Sequence, residues 1–296
     1  MQTTVNFIGI GAQKSGTSWL YKQFGKSNQI DLPPIKELHY FDRSESYPSP
    51  NFLSQTKLTS RLFDLKWTAK ALLKIKDEKN NRQWYKKWFF SDFTDEWYLS
   101  LFSEFENCKG EITPAYAMLN EDDVAKMSKL LGRDTKIIYM LRHPVERAWS
   151  SYKYMNKIKD YTFDDYEHAK NYMQSDYQVL RSQYLKTIKL YKKYFDSIFI
   201  GFFDAVVEKP EELLTDIFKY LKLETNEINE FIDLKKKVNT SKQINIPKEV
   251  QDFLQDMYSD EIEQLSKLYG GYFNKWKNPK KLDNQKKVDY QPSIII

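Results

Sequence analysis

The chain has 296 residues, 41% of them hydrophobic and 29% charged, so it can build a folded core and is not a globally disordered protein. Its single cysteine, Cys108, excludes an intrachain disulfide framework and fits a reducing compartment. With three histidines and one cysteine, a cysteine-rich structural zinc site is excluded too, and a net charge of +5 suits an anionic small ligand better than nucleic acid.

No apolar run reaches the ~20 residues that are needed to cross a bilayer. The first residues carry no basic segment of the kind that precedes the apolar run of a signal peptide. We therefore expect a cytoplasmic protein without a membrane span and without nucleic acid among its partners, and leave its oligomeric state open.

The chain opens with a strand, a glycine-rich loop and a helix. Residues 5–10 form a short apolar run that ends in glycine, which is typical of a buried strand entering a tight turn. Helical character begins at Ser18 and continues to about Phe24. This order of elements is the opening of a nucleotide-binding α/β unit.

Two more buried strands are predicted at residues 136–141 and 197–202. Between and after them the sequence favours helices at about residues 144–157, 182–194, 210–221 and 248–268. Strands that alternate with helices predict an α/β, P-loop-like three-layer fold, with a central parallel sheet flanked by helices.

Residues 47–105 contain no clear strand and carry a dense group of aromatic side chains between Trp84 and Tyr98. We interpret this stretch as a helical, aromatic-rich insertion near the acceptor side of the site, although such aromatics more often pack in a core. With no linker rich in proline, glycine or serine, residues 1–277 are predicted to be a single domain. The polar tail of residues 278–296 is expected to pack loosely.

The loop of residues 11–18 reads Gly-Ala-Gln-Lys-Ser-Gly-Thr-Ser and has the glycine spacing of a Walker A motif. Backbone N–H groups of such a loop, with the following helix N-terminus, bind a phosphate. Walker A has lysine after the second glycine, where this chain has Thr17, and the lysine lies instead within the loop at Lys14. The predicted phosphate-binding residues are Lys14, Ser15, Gly16, Thr17 and Ser18.

A second candidate segment follows the strand at residues 136–141. Arg142 stands at the carboxyl end of that strand, where open parallel sheets bind ligands, and its guanidinium suits a phosphate. Ser150 lies about two helical turns further on. Taken alone, this pair is as consistent with a solvent-facing arginine and serine as with a ligand site.

Together, the two segments resemble the two nucleotide-binding signatures of the sulfotransferase family. The resemblance implies that the first loop binds the 5′-phosphosulfate of 3′-phosphoadenosine-5′-phosphosulfate (PAPS). It also implies that Arg142 and Ser150 bind the 3′-phosphate, and that Ser182, Tyr184 and Lys242 approach the nucleotide.

Two more segments resemble the bacterial and carbohydrate-modifying branch of that family. They are residues 36–42, Lys-Glu-Leu-His-Tyr-Phe-Asp, and residues 110–116, Gly-Glu-Ile-Thr-Pro-Ala-Tyr, and residues 253–276 resemble its closing helix. Some carbohydrate sulfotransferases carry lysine at the position of Ile112, which disfavours a heparan-type acceptor here.

The resemblance implies sulfuryl transfer from PAPS to a hydroxyl or amine of a small metabolite or sugar, with 3′,5′-diphosphoadenosine (PAP) as the product. Lys14 would stabilise the leaving phosphate, and no metal is expected. Glu37 is the first candidate for the base, once burial raises its pKa, although an ion pair with Lys36 is the alternative role. His39 is the second candidate, or orients the acceptor or Glu37, or is a packed histidine.

Three residues of the 110–116 segment complete the candidates. By the same resemblance, Thr113 and Tyr116 line the acceptor site, and Glu111 is either a second acid or structural. Two other functions stay open: a nucleotide kinase on the same fold, which the displaced Lys14 disfavours, and a non-catalytic anion- or glycan-binding protein. The acceptor itself is not specified by the fold.

Overall fold

The structure, a computed structural model, describes residues 5–50, 53–54, 56–58, 73, 81–156, 166–231, 234, 245–277 and 289–296. Lys242 lies outside the described residues, as does the first part of the tail. The strands are β1 (Phe7–Gly11), β2 (Ile30–Asp31), β3 (Cys108–Ile112), β4 (Lys136–Leu141), β5 (Ile198–Phe202) and β6 (Ser293–Ile295).

Twelve α-helices occur in the described part of the chain. They are α1 (Thr17–Phe24), α2 (Arg82–Phe89), α3 (Asp95–Ser100), α4 (Glu121–Leu131), α5 (Pro144–Met155), α6 (Tyr166–Gln174), α7 (Asp176–Val179), α8 (Tyr184–Tyr194), α9 (Phe203–Glu208), α10 (Pro210–Tyr220), α11 (Lys248–Tyr269) and α12 (Tyr272–Lys277). Short 3₁₀ turns lie at Pro114–Met118, Leu180–Ser182 and Asn226–Glu230.

The strands form one six-stranded sheet in the order β2-β3-β1-β4-β5-β6. Strand β1 lies parallel to β3 and β4, and β5 lies parallel to β4. The central strands are buried along nearly their whole length, and helices flank the sheet, which confirms the predicted α/β architecture. Because the chain leaves β1 toward β3 and leaves β4 toward β5, a crevice is expected between the carboxyl ends of β1 and β4.

The long helix α11 illustrates how the sequence builds these layers. Its buried residues recur three or four positions apart, so they share one face. These residues are Val250, Leu254, Tyr258, Ile262 and Leu265. Two other helices, α5 and α10, begin with a proline, which is tolerated in the first turn because that N–H has no helical partner.

The tail corrects one expectation from the sequence. Residues 293–295 do not pack loosely but form β6, the antiparallel edge strand of the sheet. Ile294 pairs with Ile200, and Ile296 exchanges two backbone hydrogen bonds with Ile198. The final isoleucines therefore extend a sheet that is otherwise parallel.

The described part of residues 47–105 includes two helices, α2 and α3, joined by non-helical segments. Its aromatic side chains are mostly buried, with Trp84 stacked on Trp88 at 5.4 Å between ring centroids. Tyr98 of α3 stacks on Tyr40 at 4.6 Å. The insertion thus packs against the segment around residues 36–42, which carries the candidate base.

Candidate active site

The glycine loop leaves β1 and is tied to β4, because the Ala12 N–H donates to the Met140 carbonyl at 2.5 Å. Gly16, immediately before α1, has a left-handed backbone with φ of +93°, which favours glycine. A side chain there would also meet the Phe203 ring at 3.2 Å. The turn therefore directs the first N–H groups of α1, which have no partner within a helix, toward the crevice.

Lys14 is the one charged residue of the glycine loop, and several other cations lie near it. Burial lowers its pKa, and the positive charges of Arg142, Lys153 and Lys36 lower it further. Its ammonium lies 4.2 Å from the centroid of the Tyr154 ring. No carboxylate within the described ranges forms an ion pair with Lys14, whereas Lys36 pairs with Glu37 and Arg142 pairs with Glu146.

Arg142 follows β4, as expected from the sequence. Its Nε and Nη2 donate to Glu146 Oε2 at 3.1 and 3.0 Å, and its guanidinium lies 4.5 Å from the Phe203 ring centroid. The Glu146 side chain is 55% exposed, and ion pairs of that kind contribute little. A phosphate could therefore replace Glu146 as the partner of Arg142 at small cost.

The hydroxyls of the two binding segments differ in exposure. Ser18 and Ser150 are half-buried, whereas Thr17 is buried. Ser15 is fully buried, and its Oγ has no hydrogen-bond partner in the described structure. A buried hydroxyl without a partner costs free energy, so Ser15 fits a site in which a ligand supplies that partner.

Ser182 and Tyr184 are buried side chains close to Arg142 and Arg147. The Tyr184 hydroxyl donates to the Arg142 carbonyl at 2.9 Å. The Ser182 hydroxyl accepts a hydrogen bond from Arg147 and lies 3.1 Å from the Tyr258 hydroxyl. Both hydroxyls are engaged by protein groups, and Tyr184 holds the backbone of Arg142. Their approach to the nucleotide stays a prediction.

The candidate bases form a line of alternating charges. Glu37 pairs with Lys36 on one side, and its Oε2 lies 3.6 Å from His39 Nε2 on the other. The Nδ1 of His39 lies 2.7 Å from Asp42 Oδ2, which also accepts from the Ser49 hydroxyl. The line runs from the partly exposed Glu37 to the fully buried Asp42.

The pKa values in this line follow from the pairing. Burial alone would raise the pKa of Glu37, but the hydrogen bonds and charges of His39 and Lys36 outweigh it and lower the pKa to about 2. Burial would lower the pKa of His39, but Asp42 and Glu37 raise it to about 9. The expectation that burial raises the Glu37 pKa was therefore wrong, since the two neighbouring cations decide it.

Backbone geometry also marks these residues. Among the described residues other than glycine, a left-handed φ occurs at Lys14 (+67°), Glu37 (+67°), His39 (+55°) and Lys222 (+61°). Such conformations are unfavourable for side-chain-bearing residues and gather at functional sites. Three of the four positions are the residues for which the sequence predicts a catalytic role.

A buried set of hydrogen bonds, here called the Glu111 network, holds the base segment in place. Glu111 accepts from the hydroxyls of Tyr98, Thr113 and Tyr116 at 2.7, 2.6 and 2.9 Å, and from the Leu38 N–H at 3.3 Å. Burial raises the pKa of Glu111, and the four donors oppose that rise. Of its two open roles, the geometry favours the structural one.

Thr113 and Tyr116 are members of this network rather than an open surface. Both are completely buried, and the Tyr116 hydroxyl also accepts from the Tyr40 N–H at 3.0 Å. Their hydroxyls are directed to Glu111 and the 37–40 backbone, and the expectation that they line the acceptor site stays a prediction.

Comparison with known proteins supports the relationship that these motifs indicate. A model described as the sulfotransferase family matches residues 7–227. The chain belongs to the sulfotransferase family. Over 149 residues, half of its length, the chain is 31% identical to the membrane-associated sulfotransferase kil1 of Dictyostelium discoideum. The match spans only 22% of the length of that relative.

Solved structures share the fold of this sulfotransferase. A sulfotransferase from Alicyclobacillus acidocaldarius is similar with a TM-score of 0.59 and 20% identity, over 89% of this chain and 94% of that one. The sulfotransferase domain from the curacin biosynthetic pathway is similar with a TM-score of 0.50 and 15% identity, over 88% and 99% of the two chains. These likenesses show that the chain shares its fold with solved sulfotransferases.

Several residues of the sulfotransferase site were missed in the sequence. Asp42 is three residues beyond His39, a spacing that would have identified it as a partner. Gln13 donates to the Tyr177 hydroxyl at 2.8 Å and so ties the glycine loop to α7, 164 residues away. Lys153 joins the cations around Lys14, and no sequence pattern signals either long-range contact.

Within the residues described, no group of histidine, cysteine, aspartate or glutamate side chains has the arrangement of a metal site. Over the same ranges, no helix combines the length and apolar character needed to span a membrane.

Proposed function

We propose that this sulfotransferase transfers the sulfuryl group of PAPS to a hydroxyl or amine of a small metabolite or sugar and releases PAP. The single observation that carries this proposal is the convergence of positive charge on the glycine loop, where Lys14 itself has no carboxylate partner among the described residues. Lys14, Lys36, Arg142 and Lys153 come from four different segments and act on one another. A site of this kind concentrates a small polyanion.

The residues present fit the donor substrate. Lys14 and the first turn of α1 suit the 5′-phosphosulfate, the orphaned Ser15 hydroxyl lacks a partner that a phosphate oxygen could supply, and Arg142 with Ser150 suits a second phosphate. Bound there, the donor supplies the sulfuryl group and a phosphate as leaving group. An incoming anion would also restore the lowered pKa of Lys14, because it favours the ammonium form.

Glu37 is the base in this proposal. With a pKa of about 9, His39 already carries a proton at neutral pH and cannot accept another. Glu37 is ionised under the same conditions, and its pKa of about 2 does not disqualify it, since the acceptor oxygen becomes strongly acidic as its new bond to sulfur forms. His39, held by Asp42, then keeps the Glu37 carboxylate oriented.

The extent of the domain and the cellular location belong to the same proposal. We propose that residues 1–277 form one sulfotransferase domain, with β6 of the tail completing its sheet. We also propose a cytoplasmic location, in keeping with a single cysteine, Cys108, that has no disulfide partner.

The experiment is a calorimetric titration with PAP, AMP, ADP and ATP–Mg²⁺, repeated on Arg142→Ala. Arg133→Ala is the control, because Arg133 is an exposed arginine that pairs with Asp196 away from the crevice. We expect a preference for PAP over AMP and ADP of at least about tenfold, lost in Arg142→Ala and kept in Arg133→Ala.

Two outcomes would contradict the proposal. Equal or tighter binding of ATP–Mg²⁺ would favour the kinase alternative. If PAP binds but Glu37→Gln leaves every measured property unchanged and no acceptor is sulfated, the protein is a non-catalytic anion-binding member of the fold.

A further inference from the structure

Arg181, in the 3₁₀ turn Leu180–Ser182, is a cation in the interior of the protein. It is 2% exposed, and no carboxylate in the described part of the chain forms an ion pair with it. Burying a charge without such a pair costs free energy, and an apolar side chain of similar volume is often the more stable choice. Stability alone therefore does not explain an arginine at this position.

The guanidinium of Arg181 joins two distant segments. Its Nη1 donates to the Tyr177 carbonyl at 2.6 Å, and its Nη2 donates to the Pro48 carbonyl at 2.9 Å. It also lies 3.8 Å from the centroid of the Tyr177 ring, and the Tyr177 hydroxyl accepts from Gln13 of the glycine loop at 2.8 Å. Arg181 therefore holds the backbone at Pro48 in a fixed position relative to the glycine loop.

Pro48 precedes the residue that holds the partner of His39. The Ser49 hydroxyl donates to Asp42 Oδ2 and lies 3.3 Å from His39 Nδ1. The other oxygen of Asp42, Oδ1, is buried and has no hydrogen-bond partner in the described structure. The orientation of this carboxylate therefore depends on Ser49 and His39, and a shift of the backbone at Pro48 would release it.

Arg181 also acts on Asp42 through its charge. Burial lowers the pKa of Arg181 to about 10, so the guanidinium is still charged at neutral pH, and Asp42 is among the groups that oppose this lowering. The attraction between the two groups favours the ionised carboxylate that a protonated His39 requires as its partner.

We propose that Arg181 is a positioning residue for the base, Glu37. In the proposed function, on which this inference rests, Glu37 takes the proton of the acceptor, and its Oε2 lies 3.6 Å from His39 Nε2. Arg181 fixes the backbone that carries Ser49. Ser49 and Asp42 then hold His39 beside the Glu37 carboxylate. An arginine suits this role because its planar fork donates in two fixed directions, which the single ammonium of a lysine does not.

The test follows the proton on His39 Nδ1, which is buried and lies against Asp42 Oδ2, with 2.7 Å between the two heavy atoms. A buried, hydrogen-bonded proton exchanges slowly with solvent. NMR of protein labelled with ¹⁵N-histidine measures this exchange at pH 7, and His39→Asn assigns the signal. The variants are Arg181→Met, which removes the fork, Arg181→Lys, which keeps the charge, and Ser49→Ala.

We expect the His39 Nδ1 proton to exchange about tenfold faster in each of these three variants than in wild type. The double variant of Arg181→Met and Ser49→Ala should exchange no faster than the faster single variant, because both substitutions act on the same carboxylate.

Arg147→Met is the matched control. Arg147 is also fully buried and has no carboxylate partner among the described residues, but it donates to Gln178 and Ser182 instead of Pro48. Urea unfolding should show a similar loss of stability in Arg147→Met and Arg181→Met, whereas the His39 proton of Arg147→Met should exchange as in wild type.

The rate of PAP formation from PAPS, with water as the acceptor, tests the step from His39 to Glu37. The water oxygen forms a bond to sulfur while the bond from sulfur to the 5′-phosphate oxygen breaks, and that phosphate oxygen keeps the electron pair. A water proton passes to Glu37, and the products are sulfate and PAP. Arg181→Met should lower this rate about tenfold when Glu37 is present and less than about twofold in a Glu37→Gln background, with PAP affinity within about twofold of wild type.

Three results would overturn the inference and leave the proposed function intact. They are unchanged proton exchange in Arg181→Met, wild-type exchange in Arg181→Lys, which would reduce the role to charge alone, and equally fast exchange in Arg147→Met. Equal loss of rate with and without Glu37 would show that Arg181 does not act through the base. Failure of wild type to bind PAP would instead overturn the proposed function, and the proton exchange would then report the placement of His39 alone.

Discussion

The proposed donor and acceptor sides differ in whether their charged side chains have partners of opposite charge. On the donor side, Lys14 lies among other cations and has no carboxylate partner within the described ranges, and its pKa is lowered. On the acceptor side, the charges alternate from Lys36 through Glu37 and His39 to Asp42. The charge of Lys14 is left for a bound anion to balance, whereas the charges from Lys36 to Asp42 balance one another without a ligand.

The two sides also differ in what supports them. The donor side is a loop between β1 and α1, supported by backbone bonds such as that from Ala12 to Met140. The acceptor side rests on the Glu111 network, whose side-chain hydroxyls hold the backbone at Leu38 and Tyr40. Substitutions on the donor side should therefore change binding and rate, whereas those in the Glu111 network should change stability first.

The largest effect is expected at Lys14. Lys14→Ala should lower kcat by about 10²–10³, because in the proposed function it removes the cation that stabilises the leaving phosphate. Lys153→Ala, which removes a more distant member of the same cluster, should lower kcat by less than about tenfold. Rates of PAP formation from PAPS at saturating substrate check both, and an unchanged rate in Lys14→Ala would contradict the proposed role.

The largest effect on stability is expected at Glu111. Glu111→Ala leaves three buried hydroxyls and the Leu38 N–H without their acceptor, so it should reduce the free energy of unfolding by about 3 kcal/mol. Glu121→Ala, which removes an exposed glutamate paired with Lys193, should leave it nearly unchanged, because exposed ion pairs contribute little. Urea unfolding compares them, and equal losses would refute the distinction between the two sides.

This division also explains which features the sequence could predict. The glycine loop and Arg142 follow directly from local order, because a strand, its loop and the next helix are contiguous. Strands β1, β4 and β5 were found as apolar runs, whereas β2 has two residues and β3, Cys-Lys-Gly-Glu-Ile, has no continuous apolar run. Edge strand β6 was missed because its pairing with β5 depends on residues almost a hundred positions apart.

The acceptor side was harder to predict for the same reason. Glu37 and His39 were identified from the segment itself, but their pKa values depend on Lys36 and Asp42, whose side-chain positions a sequence does not give. Resemblance suggested Thr113 and Tyr116 as acceptor-side residues, but their hydrogen bonds to the buried Glu111 could not be read from the segment. The motifs identified these residues, but the partners of each side chain follow only from the tertiary structure.

The pH profile of kcat/KM distinguishes the two candidate bases. If Glu37 accepts the proton beside a protonated His39, kcat/KM should be constant between about pH 5 and pH 8 and fall as His39 loses its proton near pH 9. If His39 is the base, kcat/KM should rise through the same pKa. His39→Asn should remove the change near pH 9, which separates it from any titration of Lys14.

The same two groups predict the direction of a stability change. The pKa of His39 is raised from 6.5 to about 9, so its stabilising contribution is complete below about pH 6.5 and is lost as the pH rises through about 9. Glu37 behaves oppositely, and its contribution is lost only as the pH falls from about 4.5 through about 2. Unfolding followed from about pH 6 to pH 10 should therefore show a decline in wild type that is smaller in His39→Asn.

The smallest effect is expected at Tyr184, and it tests whether this residue acts through Arg142. Tyr184→Phe removes one hydrogen bond to the Arg142 carbonyl and should lower stability by about 1 kcal/mol. Tyr191→Phe is the matched control, because Tyr191 is also fully buried and donates to a carbonyl, that of Tyr116, at 2.8 Å. Both variants should lose similar stability, but only Tyr184→Phe should weaken PAP binding, by about threefold, since only its partner carries a guanidinium that is proposed to bind phosphate. Equal PAP affinities in the two variants would mean that Tyr184 supports the core and not the orientation of Arg142.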